Sequence, residues 1–446
     1  MDALCINQSD ETERSEQVGF MKKIYSKAIK VQVYLGTPSK NSSQELDQPS
    51  KEREQAMAEL DQWGSNSAEM KAYISNNQKS KDNFRTLFNL PYFKRIWIIQ
   101  EVVAASRGDG SAATVRYGNQ SLLWNRFKPE TLQVTGAHNS APPWLLHCSK
   151  KSNERRENIV DLLIATSACQ SSDPRDKVFA LFSLLDAPEL NSDYNLPTEQ
   201  VYTGISVYAL LRVNDEVPKE NGPGRLLRYA NRSRNSALPS WVPEFEETLT
   251  PPDLASVIQE TLGIRVPLLP LEKLELPPSR LRVHEQTGAL AVFGHKVTNV
   301  VDLKPDGILK ARTLTHKFAD STEYFGKFIV AFETDFNSDT DIIFLSNSFA
   351  WPLHLRKKTT ENVYTYLGEC AMAVTRKTSF SPQSPDTLGS IIESIAPLTS
   401  KDFRKLWEEY RNLRGRILRQ VDWTSQAGSS CPFPSTEEAS FQSYQK

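Results

Sequence analysis

Ala3-Leu4-Cys5-Ile6-Asn7-Gln8-Ser9-Asp10 begins as an apolar run of strand length and then breaks into polar residues, and the fold follows from how that break is continued. Asp10 is placed to cap a helix, and Glu13, three residues on, to reach back as in a capping box. Val18, Met21, Ile24, Tyr25 and Ala28 then recur at three- and four-residue steps, with Glu13, Glu16, Lys22, Lys23, Lys27 and Lys30 mostly on the other side. Val31-Gln32-Val33-Tyr34-Leu35 is a second β-rich run, stopped by Gly36-Thr37-Pro38. Two short strands joined by one helix pair side by side only in parallel, through a right-handed crossover, so the spacing predicts a βαβ unit. Ligands in such sheets sit beyond the carboxyl ends of the strands, which makes Asn7, Gln8 and Asp10 the candidate binding residues. Parallel strands are normally flanked on both sides, so the first strand or strands of this sheet are expected upstream of Met1.

Asp2-Ala3-Leu4-Cys5-Ile6-Asn7-Gln8, then Glu13-Arg14, Gln17-Val18, Met21, Ile24-Tyr25, Ala28, Val31 and Leu35-Gly36, resemble the signature block of the fungal heterokaryon-incompatibility (HET) domain. In that family a Trp usually stands two residues before the Asp, and a strand and helix precede it. The resemblance therefore implies a domain that is incomplete at its N-terminus. HET domains are in turn similar to TIR domains, which implies an α/β fold: a TIR-like parallel sheet with flanking helices.

Pro91 can open a helix running to residue 105, on which Phe93, Trp97 and Ala104 share a face. Trp97 and Glu101, four apart, are then neighbours, and a carboxylate beside a large aromatic is partly desolvated, which raises its pKa. One reading makes Trp97 a core residue and Glu101 an ion-pair partner of Arg95 or Arg175. The other comes from the TIR resemblance: enzymatic TIR domains hydrolyse NAD with a Glu four residues after a Trp, and Trp97-x-x-x-Glu101 is similar. It implies Glu101 as the catalytic carboxylate and NAD as substrate rather than cofactor, with Asn7, Gln8, Asp10, Trp97 and Arg175 binding it.

Asp173 as cap and Pro174 at the first helical position mark another helix start. Asp173-Pro174-Arg175-Asp176-Lys177 before an apolar run resembles the block that closes the HET domain. Arg175 and Asp176 either order that helix end, the preferred reading, or Arg175 anchors a phosphate or Glu101.

The 446 residues suffice for two or three domains, and 53 Lys+Arg against 54 Asp+Glu leave no global field to recruit nucleic acid or an anionic membrane. No apolar run approaches the ~20 residues of a membrane span, and the polar residues after Ile6 do not fit a signal peptide, so the expected compartment is the cytoplasm. Cys5, Cys148, Cys169, Cys370 and Cys431 are scattered, and with six histidines they offer no metal-ligand spacing. Cys5 reads as a small core residue rather than a nucleophile.

Residues 1–188 are the expected HET domain, with a solvated loop insertion at about 37–56 leading into a polar helix around 53–63. A short strand and tight turn follow at 114–119, and helices at 154–169 and 202–213. Residues 189–250 form a helical connector ending in Pro239-Ser240-Trp241-Val242-Pro243, which resembles the segment after the HET domain in long family members. Residues 251–376 form a smaller, mostly β accessory domain, with a hairpin at 281–293 and strands at 342–345, 351–356 and 364–370. Residues 377–423 are a linker and an amphipathic helix, and 424–446 a disordered tail. The function the resemblance implies is allorecognition and programmed cell death, through protein partners or self-association of the HET domain; the alternative is NAD hydrolysis.

Overall fold

Helix α1 (Glu11–Lys27) starts where its cap dictates: Asp10 is extended, and its carboxylate accepts the N–H groups of Thr12 and Glu13. Glu13 reaches back past the cap to the N–H of Asn7 at 3.2 Å. The computed structural model describes residues 6–43, 45–63, 72–105, 113–127, 143–148, 158–185, 187, 189–211, 223–232 and 237–250. Further along it describes 282–283, 289–292, 295–297, 311–317, 324–332, 337, 339–345, 349, 351–358 and 363–374. The expected strand at 3–6 lies almost wholly outside these residues, as do the helix around 403–417, the linker before it and the tail. The chain divides into two units, Met1–Tyr202 with Phe245–Leu249, and Thr203–Glu244 with Thr250–Lys446.

In the first unit, strand β1 (Val31–Tyr34) alternates, burying Val31 and Val33 and exposing Gln32 and Tyr34. It pairs in parallel with β2 (Ala113–Tyr117), Val33 opposite Val115, and β2 turns back antiparallel into β3 (Gln120–Leu123). Among the described residues the sheet is thus three-stranded and mixed, in the order β1-β2-β3, smaller than the parallel sheet that the TIR resemblance implies. Gly118 turns the hairpin at φ +57°, and a Cβ there would stand 2.8 Å from Pro38 Cδ. Gly118→Ala is expected to cost about 1–2 kcal/mol for the left-handed backbone, with the clash added, read as a lower thermal midpoint.

Two expectations are corrected here. The loop expected at about 37–56 ends sooner than that: helix α2 (Gln48–Trp63) begins five residues before the helix expected around 53–63, and Ala56, Met57 and Leu60 on it are fully buried. Asp47 stops the preceding loop by accepting the Ser50 N–H at 2.8 Å. The single stripe Ala56, Met57, Leu60 is enough to seat α2 along α3 (Gln78–Phe88). On α3 Phe84 and Phe88 are buried, and Phe88 meets Phe93 and Phe127 edge-on at 5.5 and 6.1 Å.

The second correction concerns residues 91–105, which are not one helix. A 3-10 turn (Pro91–Lys94) ends at an extended Arg95, where the backbone bridges to Gln170, Ile96 N–H donating to Gln170 C=O at 3.0 Å. Helix α4 (Ile98–Ala105) starts only after Trp97. Helices α5 (Pro143–Cys148), α6 (Ile159–Thr166) and α7 (Asp176–Phe182) complete the part of this unit that positions the site. Asp173 does direct the entry to α7, but through a turn: its carboxylate accepts the Arg175 N–H at 3.0 Å, and the helix proper begins three residues later.

Among its described residues the second unit is mostly β. A short antiparallel pair, β4 (Arg282–Val283) and β5 (Leu290–Ala291), stands apart from a six-stranded antiparallel sheet of order β6-β9-β10-β11-β8-β7. Strands β9 (Asp341–Leu345), β10 (Leu353–Lys357) and β11 (Tyr364–Val374) fall where the sequence places strands. Strands β6 (His295–Val297), β7 (Ala311–Lys317) and β8 (Tyr324–Phe332) complete the sheet. Trp241 and Val242 of the Pro-Ser-Trp-Val-Pro segment are buried, and Ser240 Oγ accepts the Tyr366 N–H at 2.9 Å.

Candidate functional site

Four segments of the first unit meet around two carboxylates. Helix α1 supplies Arg14, the turn before α4 supplies Trp97, the entry to α7 supplies Asp173, Arg175 and Asp176, and a turn at 193–196 supplies Tyr194. Arg14 sits one turn beyond the α1 cap, so the capping of that helix aims its guanidinium at the α7 entry. Its Nη1 donates to Asp173 Oδ2 at 2.8 Å and its Nη2 to Asp176 Oδ1 at 3.4 Å. Trp97 donates its indole N–H to the other Asp176 oxygen at 3.0 Å, and the Tyr194 hydroxyl donates to Oδ1. The Arg14 guanidinium also lies 3.7 Å from the centroid of the Tyr194 ring, a stacked cation–π contact.

Arg175 completes the cluster. It holds Asp173 through Nε and Nη2 at 3.0 and 2.9 Å, a bidentate fork, and donates to the carbonyls of Tyr194 and Leu196. A longer contact of 3.5 Å reaches the half-exposed Glu11. Ser15 Oγ accepts the Tyr194 N–H at 2.9 Å, and the Tyr202 hydroxyl donates to the Pro174 carbonyl at 3.0 Å. Two arginines against two aspartates leave the cluster neutral. Such a closed set of charges holds segments in register rather than presenting a reactive group.

The electrostatics agree with that role. Burial pushes the Asp176 carboxyl up, against the opposing hydrogen bonds of Tyr194 and Trp97 and the charge of Arg14. Burial acts on Asp173 too, but the Arg175 hydrogen bonds outweigh it and hold that carboxyl below its ordinary value. Burial and the adjacent Asp176 push the Tyr194 phenol well up, so it stays a donor. Lys177, lowered by burial, donates to the carbonyls of Ser167 and Cys169, and burial pushes the Cys169 thiol up to about 12, far from thiolate chemistry.

The residues expected to form one pocket are distributed differently. Asn7, Gln8 and Asp10 are exposed at the start of α1; Asn7 Oδ1 accepts the Ser9 N–H at 3.2 Å, and the Asp10 carboxylate is engaged in capping. Glu101, half-buried on α4, accepts the Tyr92 hydroxyl at 3.3 Å, and Tyr92 lies within electrostatic reach of Tyr25. Tyr25 is fifteen residues beyond Asp10 on α1, about 22 Å along the axis at the rise of an α-helix. The Tyr92 partner of Glu101 thus lies toward the second half of α1, and the Asn7-Gln8 turn at its start. Trp97 turns its indole N–H to Asp176, and Arg175 serves Asp173. Among the described residues no group of His, Cys, Asp and Glu could hold a metal ion, and no helix is long and apolar enough to cross a membrane.

Arg14 and Asp176 were visible in the sequence only as members of motif blocks, and Tyr194 carried no signal. The one cue that could have linked them was the appearance of unlike charges side by side at two helix starts, Glu13-Arg14 and Asp173-Pro174-Arg175-Asp176.

Comparison with known proteins places the first segment. Residues 1–101 match the family model described as "Heterokaryon incompatibility protein (HET)". The chain is 26% identical over 311 residues to "Heterokaryon incompatibility protein 6, OR allele" of Neurospora crassa, an alignment covering 55% of this chain and 44% of that protein. The chain thus spans less than half the length of that relative. No solved structure matches.

Proposed function

We propose that this chain, whose residues 1–101 carry a heterokaryon-incompatibility (HET) domain, is an incompatibility effector that triggers programmed cell death from the cytoplasm. It would act through contacts of its first unit with protein partners or further copies of itself. The observation that carries this reading is the Arg14–Asp173–Asp176 latch. It ties a signature residue of the matched segment to a block 159 and 162 positions downstream, which supports a domain that extends well beyond residue 101. A TIR-like sheet enters the reading only with the parallel β1–β2 pair as its support.

In this reading Glu101 is a helix-packing residue beside Tyr92. Inducible expression of the full chain in a filamentous fungus tests it: viability is expected to fall on induction, equally for Glu101→Gln and with cellular NAD unchanged before death. Unaffected viability at folded, detectable protein levels would contradict the effector role. NAD loss in the parent chain but not in Glu101→Gln would transfer the function to hydrolysis.

A further inference from the structure

Helix α1 has a second face that the latch does not use. Phe20, Lys23, Ile24 and Lys27 follow the i, i+3, i+4, i+7 pattern of one stripe, opposite Val18, which is buried. Phe20 and Ile24 are 53% and 58% exposed, and Ile29, in the turn just after the helix, is 97% exposed. Lys23, Lys27 and Lys30 are exposed among them. No Asp or Glu occurs between Gln17 and Gln44, while Lys22, Lys23, Lys27, Lys30 and Lys40 do. A chain with net charge −1 thus places five lysines and no carboxylate on a stretch where large apolar side chains stand in water.

We propose that this face is a membrane-docking surface for anionic phospholipid. Apolar side chains that project singly from a convex helix face and the turn beyond it can enter the acyl boundary, while the intervening lysines extend their stems and keep their ammonium groups among the headgroup phosphates. An acidic protein partner would satisfy the lysines, but it would have to cover Phe20, Ile24 and Ile29 separately, with a lysine next to each. Charge complementarity therefore selects an anionic surface, and the spacing of the apolar residues selects a lipid one. The docking goes beyond the incompatibility reading and does not rest on it.

Vesicle flotation of the full chain tests the proposal, with phosphatidylcholine alone against phosphatidylcholine containing phosphatidylserine. The chain is expected to partition onto the anionic vesicles and to be released by added salt. Lysines near an anionic surface each contribute a factor of about five, so Lys23→Gln, Lys27→Gln and Lys30→Gln together are expected to lower partition about a hundredfold. Ile24→Ser with Ile29→Ser is expected to lower it about tenfold or more. These positions are exposed, so the circular-dichroism spectrum and thermal midpoint should match those of the parent chain, and salt release is read on the parent chain itself. Equal binding to neutral and anionic vesicles, or binding indifferent to both sets of variants, overturns the proposal. So does capture of polyglutamate by the same lysines with vesicles unbound, which would assign the face to an acidic polypeptide.

Discussion

Asp176→Ala is expected to destabilise the first unit by about 3–5 kcal/mol, the cost of removing one member of a buried ion pair and leaving the rest. The carboxylate takes Arg14, Trp97 and Tyr194 at once and is almost fully buried. Without it the Trp97 indole N–H and the Tyr194 phenol lose their acceptor, and the Arg14 guanidinium keeps Asp173 alone. For a unit of this size the loss corresponds to a fall of about 10 °C in thermal midpoint, measurable by calorimetry. Asp176→Asn keeps one oxygen and is expected to cost about 1–2 kcal/mol, since Trp97 or Tyr194 can still donate to it.

The second large effect belongs to the second unit, at Asp341. Its fully buried carboxylate accepts His354 Nε2 at 2.9 Å, Arg356 Nε and Nη2 at 2.7 and 2.9 Å, the Asn337 N–H at 3.0 Å and the Thr340 hydroxyl at 2.9 Å. Arg356 is partly exposed and can turn to water, but His354 is 1% exposed and cannot. Asp341→Ala is therefore expected to cost about 3 kcal/mol, read as a lower urea midpoint for this unit. Burial alone would raise this carboxyl; the Arg356 fork, with Asn337, His354 and Thr340, overcomes it and holds the pKa well below the usual carboxylate range. A depressed carboxyl stabilises the fold above its unfolded value of about 3.9, and that contribution is lost as pH falls through the folded value. The acid limb of the stability profile should thus begin below about pH 4 and be blunted in Asp341→Asn.

Where side chains alternate or cap by their own chemistry, the sequence was enough to read the structure. Asp10 and Glu13 declared α1, Val31 and Val33 declared β1, Gly118-Asn119 declared the β2–β3 turn, and the strand-like runs at 342–345, 351–356 and 364–370 declared β9, β10 and β11. The readings that failed depended on partners far along the chain. Helix α2 looks polar because its seat on α3 is only a narrow stripe, and the helix expected at 91–105 breaks because Arg95 pairs its backbone with Gln170. Strand β7, with its threonines and charges, has too little apolar alternation to announce itself.

The site was legible in its members and not in its geometry. Arg175 clasps Asp173 through Nε and Nη2. Trp97 and Glu101 share four-residue spacing but not a target, because the indole N–H serves Asp176 and the carboxylate serves Tyr92. Spacing fixes which side chains are neighbours on a helix and says nothing about which distant segment each one will meet.

The claim on which the account rests is that the matched N-terminal segment and the Asp173–Asp176 block are one energetic unit, coupled through Arg14. A double-mutant cycle on the full chain, Arg14→Ala against Asp176→Ala, measures that coupling directly from the unfolding of the first unit. The account expects the double variant to lose at least about 2 kcal/mol less than the sum of the two single losses, as contacting residues do. Losses that add within about 0.5 kcal/mol would contradict it, since residues that do not share partners behave in that way.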